Sequence, residues 1–191
     1  MIVALLAAPR EIPRRVGVPA SHFQHPLVNF SDLNTLGREA FVDALGWVFE
    51  DSPWVAERVW PGRPFASLER LHETMAAVVL AAGADRQLAL LQAHPDLGAR
   101  LKMSAASTGE QAGARLDQLS PDVFTRLQAL TAEYRQKFGF PFLFAVKGST
   151  PAQILDALEA RLPRDRAAEF EEGLRQVARI AWFRLDSMIT R

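Results

Sequence analysis

Hydrophobic residues recur at helical spacing along most of the chain beyond residue 30. Phe41, Ala44, Leu45, Val48 and Phe49 occupy positions i, i+3, i+4, i+7 and i+8, which places their side chains on one face of an α-helix. The same helical spacing predicts further helices over 53–60, 68–82, 85–93, 121–137, 151–162 and 164–188. Residues 140–146 are the exception, because their pattern suggests a short, buried extended stretch. The pattern predicts an all-α, single-domain bundle of about eight helices.

Proline residues mark several ends of these predicted helices. Ser52 and Thr150 each precede a proline, so each is predicted to cap a helix that has Pro in its first turn. His94 precedes Pro95, and a residue before proline disfavours the α conformation. We therefore expect one helix to end at His94.

The N-terminal segment differs from the rest of the chain. Residues 1–29 contain four prolines and little periodicity, which favours an N-terminal arm in front of a helical domain over 30–191. The apolar run at 1–9 lacks a basic start and is too short to span a bilayer. We therefore expect a cytoplasmic protein without a membrane partner.

Charge and cysteine content narrow the possible functions. The 191 residues carry 22 Lys and Arg against 22 Asp and Glu, so there is no net positive field to hold a nucleic acid. Cysteine is absent, which excludes disulfides, thiolate metal ligands and cysteine nucleophiles. We expect no nucleic-acid partner. A folded chain of this size buries about 70% of its unfolded surface around one core.

His94 is the first candidate for chemistry. Its backbone is predicted to be stiff beside Pro95, and an imidazole titrates close to neutral pH, which suits general acid–base catalysis. We expect the side chain to be exposed in a cleft and to contribute little to the core. The alternative is a histidine that only interacts with the carboxyl end of a helix. The residues alone leave both interpretations open.

Two further segments could bind a ligand. Ser107 and Glu110 match a capping box, although a helix N-terminus with a hydroxyl and a carboxylate can also receive a small polar molecule. Residues 137–144 place aromatic side chains around a Gly and a Pro, which indicates either core with a tight turn or an apolar wall with free backbone amides. Arg161 ends a predicted helix and could hold a carboxylate or carbonyl.

The other histidines favour structural roles. His22 and His25 are three residues apart, a possible metal-ligand spacing, but no carboxylate is near them in the sequence. His72 lies beside apolar residues of a predicted helix. A metal-dependent hydrolase that uses these residues together with His94 is the least favoured interpretation.

Three motifs in series resemble the 2-oxo-4-hydroxy-4-carboxy-5-ureidoimidazoline (OHCU) decarboxylase family of urate degradation. They are His94-Pro95-Asp96-Leu97, Ser107-Thr108-Gly109-Glu110-Gln111 and Phe138-Gly139-Phe140-Pro141-Phe142. The segments 41–46 and 49–55 resemble the first helices of that family. The likeness extends from about residue 33 to about residue 185.

The resemblance implies an all-helical homodimer that uses neither a metal nor an organic cofactor and acts on OHCU. It assigns catalysis to His94 with Glu110, and substrate contacts to six further positions and to Arg161 as the best-placed arginine. These six positions are Pro95, Ser107, Gln111, Phe140, Phe142 and Leu143. The expected products are S-allantoin and CO₂.

The chemistry that the resemblance implies needs no external electron sink. In OHCU, C4 carries the carboxylate and a hydroxyl, and the adjacent C5 is doubly bonded to nitrogen. The protein must fix the pose, desolvate the carboxylate and control protons. His94 is then expected to relay a proton near the C4 hydroxyl, while Glu110 sets its tautomer or binds the ureido group. The alternative function is a helical binding or scaffold module for other urate-pathway enzymes.

Overall fold

The computed structural model describes residues 27–97 and 120–190. Eight α-helices lie within these two ranges, which confirms the predicted all-α architecture. They are α1 Phe30–Thr35, α2 Arg38–Leu45, α3 Trp54–Val59, α4 Leu68–Leu80, α5 Ala84–Ala93, α6 Pro121–Phe138, α7 Pro151–Arg161 and α8 Arg166–Met188, with a 3₁₀ turn at Trp60–Gly62.

The two ends of the described chain meet in a short parallel pair of strands. β1, Val28–Asn29, pairs with β2, Ile189–Thr190. Residues 1–26, most of the predicted arm, lie outside the described residues. The pairing joins the segment before α1 to the end of α8.

α8 is the central helix of the described core. It packs against α4, α5 and α6, while α3 packs against α4. Its buried side includes Leu174, Val177, Ala181 and Leu185, which share one face at helical spacing. Residues near the two ends of α8 can therefore contact different parts of the bundle.

The predicted second helix is shorter than its apolar pattern. α2 ends at Leu45, and Val48 and Phe49 are buried in turns that follow it. The chain turns at Gly46, where an added Cβ would lie 2.7 Å from the carbonyl oxygen of Val42 and 3.1 Å from Pro53. The apolar periodicity continues after the helix has ended because Val48 and Phe49 are buried in these turns.

The predicted caps agree with the structure at one position and differ at the other. Thr150 caps α7 in a reciprocal capping box with Gln153. Ser52 does not cap α3, because Pro53 occupies the N-cap position and the Ser52 amide donates to the carbonyl of Glu50 at 2.6 Å. The tight turn at Glu50 thus shifts the start of α3 by one residue.

Within 27–97 and 120–190, no single helix is long and apolar enough to cross a bilayer. α4 and α5 reach that length and hydropathy only together, and the chain bends by 117° between them.

Candidate active site

His94 lies at the C-terminal end of α5 in an extended backbone conformation, with φ −70° and ψ 135°. This confirms the predicted helix end. Its Nδ1 lies 2.8 Å from the carbonyl oxygen of Leu90, and because a carbonyl only accepts, Nδ1 carries the hydrogen. Nε2 is consequently the basic nitrogen of the neutral ring. The geometry thus gives His94 both an interaction with the end of α5 and a basic Nε2.

The expectation that His94 is exposed is wrong. The residue is only 3% exposed, because the end of α5 is covered by neighbouring parts of the chain. A buried imidazole is shielded from bulk water, so its charge interacts more strongly with nearby groups. A substitution that removes volume or the bond to Leu90 is therefore expected to affect stability as well as chemistry.

Glu50 brings a carboxylate next to His94. Its Oε1 lies 4.0 Å from Nε2 of His94, and its side chain is 20% exposed. The same carboxylate pairs with the guanidinium of Arg184. Glu50 therefore connects the imidazole at the end of α5 to a cation on α8.

Arg184 is fixed by the turns that follow α2. Its Nη1 donates to the carbonyl oxygens of Trp47 at 3.1 Å and Val48 at 3.0 Å, and its Nη2 donates to Glu50. Because the guanidinium is planar and rigid, these bonds set its orientation as well as its position. The end of α5, the turn at 46–50 and the C-terminal half of α8 thus form one polar cluster.

The backbone of Glu50 is in an unfavourable conformation. Its φ of 48° is the only positive value at a non-glycine residue in the described ranges. A left-handed residue with a Cβ costs roughly 1–2 kcal/mol, and such strain is concentrated at functional sites. The fold retains a glutamate where glycine would be more favourable, which is consistent with a need for the carboxylate.

Strain at Glu50 is expected to appear as a stability difference between two variants that both lack the carboxylate. Glu50→Gly should have a free energy of unfolding about 1 kcal/mol larger than that of Glu50→Ala, because Gly adopts this φ without a steric penalty. Urea unfolding of the two variants measures the difference. Equal stabilities, or a more stable Ala variant, would contradict the assignment of strain.

The predicted aromatic segment, residues 140–145, has no regular secondary structure and is largely buried. Phe140, Phe142 and Leu143 are at most 3% exposed and follow Gly139, which ends α6 at φ 81°. Gln92, two residues before His94, donates its Nε2 to the carbonyl oxygen of Gly139 at 2.8 Å. This bond joins the histidine helix to the start of the segment.

The backbone of this segment lacks a regular hydrogen-bond ladder. Within 27–97 and 120–190, no hydrogen bond is donated by the amides of Phe140, Phe142 or Leu143. The rings of Phe140 and Phe142 contact the ring of Tyr134. The side chains thus serve the core, as one interpretation of the sequence expected, while the amides remain compatible with ligand binding.

Arg161 lies in a different cluster from Arg184. Its Nε donates to Glu169 at 2.9 Å, its Nη1 to the carbonyl oxygen of Leu143 at 2.8 Å and its Nη2 to the hydroxyl of Tyr134 at 3.2 Å. The described structure therefore connects Arg161 to the aromatic segment. Its direct contact with substrate stays a prediction.

Of the remaining predicted site residues, the structure describes some and not others. Pro95 is exposed directly after His94, and Asp96 pairs with Arg135 of α6, which fixes the chain beyond the histidine. Ser107, Glu110 and Gln111 lie outside the described residues, as do His22 and His25. The part of the chain that the structure describes contains no group of three or more His, Asp or Glu side chains that could hold a metal. His72 lies elsewhere, with Nε2 2.8 Å from the carbonyl oxygen of Ala178.

Sequence reasoning missed Glu50 and Arg184 as site residues. Glu50 lies between an apolar stripe and a Ser-Pro pair, and Arg184 lies on the polar side of the last helix. Glu50 belongs to the segment 49–55 that resembles the family, but nothing in that segment marks its carboxylate as functional, and Arg184 has the pattern of a surface residue. Only the folding of α8 against the turn after α2 brings the two together.

The sequence of this chain matches known proteins of one family. A model of the OHCU decarboxylase family matches residues 34–186. The chain is 46% identical over 157 residues to the 2-oxo-4-hydroxy-4-carboxy-5-ureidoimidazoline decarboxylase of Halalkalicoccus jeotgali, covering 82% of this chain and 89% of the relative. It is 35% identical over 161 residues to the corresponding Mus musculus protein, covering 82% and 90% of the two chains.

Solved structures agree with this comparison. A crystal structure of (S)-allantoin synthase matches with a TM-score of 0.72 and 31% identity, covering 85% of this chain and 54% of that one. An OHCU decarboxylase crystallised in the presence of (S)-allantoin matches with a TM-score of 0.60 and 23% identity, over 73% and 93% of the chains. The second match supports the fold alone.

The helical fold and its matches define a carboxy-lyase. The chain belongs to the OHCU decarboxylase family, which acts in urate degradation. The family and the decarboxylase activity predicted from the three sequence motifs are therefore confirmed, and the enzyme interpretation is favoured over a binding or scaffold module.

Proposed function

We propose that the chain converts OHCU to (S)-allantoin and CO₂ beside His94, Glu50 and Arg184. The observation that carries this proposal is the carboxylate of Glu50, which Arg184 holds 4.0 Å from Nε2 of His94. A base, a carboxylate and a fixed cation in a largely buried cluster suit proton transfer on an anionic substrate.

The reaction divides into bond cleavage and proton transfer. The bond between C4 and the carboxylate breaks and CO₂ leaves. The electron pair of that bond forms a C4=C5 double bond, and the electrons of the C5=N double bond pass to the ring nitrogen. The ring nitrogen takes up the one proton that the reaction consumes overall. The C4 hydroxyl then loses its proton and becomes a carbonyl, while C5 gains a hydrogen. Nε2 of His94 accepts the hydroxyl proton and returns a proton to one face of C5, which gives a single enantiomer.

Glu50 and Arg184 have distinct parts in this proposal. The Glu50 carboxylate stabilises the imidazolium that forms when Nε2 takes the proton. Arg184 fixes that carboxylate and has the charge to attract the substrate carboxylate. Its connection to His94 through Glu50 makes Arg184 a better-supported substrate arginine than Arg161, which pairs with Glu169 outside the His94 cluster.

The other substrate contacts follow the family resemblance. Ser107, Glu110 and Gln111 are proposed to bind and orient the substrate, with Glu110 assisting catalysis, and Pro95 to border the site. The backbone amides of Phe140, Phe142 and Leu143 are proposed to contact the ureidoimidazoline. The burial of the aromatic segment and its link to α5 through Gln92 support that contact.

The wider organisation is also part of the proposal. We propose a cytoplasmic homodimer without a metal or organic cofactor, with residues 1–29 as an arm and 30–191 as the catalytic domain. Family resemblance supports the dimer and the chemistry that needs no cofactor. Sedimentation equilibrium measures the mass of the assembly directly.

Circular dichroism of the product tests the proposed reaction. OHCU is generated from urate by uricase and hydroxyisourate hydrolase, and this protein is added after dialysis against EDTA. We expect rapid formation of one allantoin enantiomer, because His94 delivers the proton to one face. Slow, racemic product equal to that of the control without this protein would contradict the proposal.

A further inference from the structure

A buried ion pair lies beside the aromatic segment. The side chains of Arg161 and Glu169 are 5% and 0% exposed, and Nε and Oε2 are 2.9 Å apart. Burying two charges costs desolvation energy that their attraction only partly offsets, and apolar replacements are often equally stable. A contribution to stability is therefore a weak explanation for the burial of this ion pair.

The groups around Glu169 hold the pair in one arrangement. Its carboxylate accepts hydrogen bonds from Arg161, from Arg164 at 3.4 Å and from the hydroxyl of Tyr134. Burial, together with the hydrogen bond to Glu169, raises the pKa of Tyr134 well above its usual range. The hydroxyl consequently stays protonated and donates to Glu169, while its oxygen accepts from Arg161.

The guanidinium of Arg161 also contacts the aromatic segment. Nη1 donates to the carbonyl oxygen of Leu143 at 2.8 Å, and the guanidinium carbon lies 4.7 Å from the centre of the Phe142 ring. The segment has no strand partner among the described residues. The guanidinium is thus a fixed support for one peptide plane and one ring of a segment that has no regular secondary structure.

A second side chain supports the far end of the segment. Oε1 of Gln176 accepts from the amide of Ala145 at 2.9 Å, and Nε2 of Gln176 donates to Glu172 at 2.7 Å. Burial alone would raise the pKa of Glu172, but hydrogen bonds from Gln176 and Arg175 lower it. An ionised Glu172 only accepts, which orients the Gln176 amide with its oxygen towards Ala145.

We propose that Arg161 is a positioning residue that fixes the amides of Phe140, Phe142 and Leu143 for substrate by holding the Leu143 carbonyl. This inference rests on the proposed contact between those amides and OHCU. Arg161 touches the segment from the core side through Leu143 and Phe142, so it acts on substrate through the backbone.

Two variants separate this role from a contribution to folding. Arg161→Lys keeps the charge beside Glu169 but loses the planar fork that reaches Glu169 and Leu143 together. The triple variant Arg161→Met, Glu169→Leu, Tyr134→Phe removes the polar cluster without leaving an unpaired buried charge. The triple variant keeps the test decisive if Arg161→Lys alone does not fold.

We expect both variants to raise KM for OHCU and the inhibition constant of (S)-allantoin by a common factor. That factor is about tenfold, since a misplacement of the order of 1 Å costs up to about 10²-fold. The kcat value should change much less, because these amides bind substrate and transition state alike.

Ile154 provides the matched control on the same helix, because it is fully buried in α7. Ile154→Ala and the milder Ile154→Val lower stability by leaving a cavity in the core. The one whose melting temperature is closer to that of Arg161→Lys serves as the control. This control should leave both constants unchanged. Unchanged constants in the Arg161 variants, or an equal rise in the control, would overturn the positioning role.

Amide spectra distinguish failure of this role from failure of the substrate contact. ¹⁵N-labelled wild-type protein is titrated with (S)-allantoin, and the signals of Phe140, Phe142 and Leu143 are followed. Shifts at these amides with an unchanged KM in the variants would overturn only the role of Arg161. Absence of shifts would overturn the proposed contact, and the positioning role with it.

Discussion

Replacing His94 with Asn is expected to lower kcat for OHCU by about 10²–10⁴-fold, the range attributed to positioned acid–base groups. The Asn side chain places an amide nitrogen near the position of Nδ1, so it can still donate to the Leu90 carbonyl. It lacks the atom that corresponds to Nε2. Stopped-flow measurement of OHCU consumption at saturating substrate gives kcat.

Two companion variants separate the ring nitrogens and control for histidine loss. His94→Gln places a non-basic amide near the position of Nε2. Its kcat should be as low as that of His94→Asn, because a group of similar size that is not a base cannot accept the proton. His72→Gln can still donate to the Ala178 carbonyl and should keep wild-type kcat. Near wild-type turnover by His94→Asn, with the fold intact by far-ultraviolet circular dichroism, would refute catalysis by His94.

Replacing Glu50 with Gln is expected to reduce kcat by about 10²-fold, as for the removal of one preorganised electrostatic group. Gln preserves size but loses the charge that faces Nε2 of His94 and pairs with Arg184. The proposed imidazolium then has no neighbouring carboxylate from this residue. Steady-state kinetics measure kcat and KM separately.

A double-mutant cycle tests whether Glu50 and Arg184 act together. If they form one unit, the variant with both Glu50→Gln and Arg184→Gln should lose little more than either single variant. Glu159→Gln is the control, because Glu159 pairs with Arg126 in the same way on an exposed surface. Strictly multiplicative losses in kcat/KM, or an equal loss in the control, would show that the site does not depend on this pair.

Much of the helical fold is predictable because local chemistry and the apolar pattern agree. Thr150 with Pro151 starts α7, and His94 before Pro95 ends α5. The prediction failed at the end of α2, where Val48 and Phe49 are buried in turns. Burial of a residue gives the same sequence signal whether a helix or a tertiary turn produces it.

The candidate site was predictable only where its residues form a motif. His94 and the aromatic segment stand out because Pro and Gly constrain their backbones locally. Glu50 and Arg184 are 134 positions apart in sequence, and their meeting depends on how α8 packs. Arg161 was singled out because it ends a predicted helix. That position in the sequence did not indicate that its nitrogens donate to Glu169 and Leu143.

A crystal structure of this protein with (S)-allantoin tests the account of the site most directly. It should place polar ligand atoms about 2.7–3.2 Å from Nε2 of His94, from the guanidinium of Arg184 and from backbone amides among Phe140, Phe142 and Leu143. Arg161 should remain on Leu143 without touching the ligand. Allantoin bound away from His94, or held by Arg161 in place of Arg184, would contradict the account.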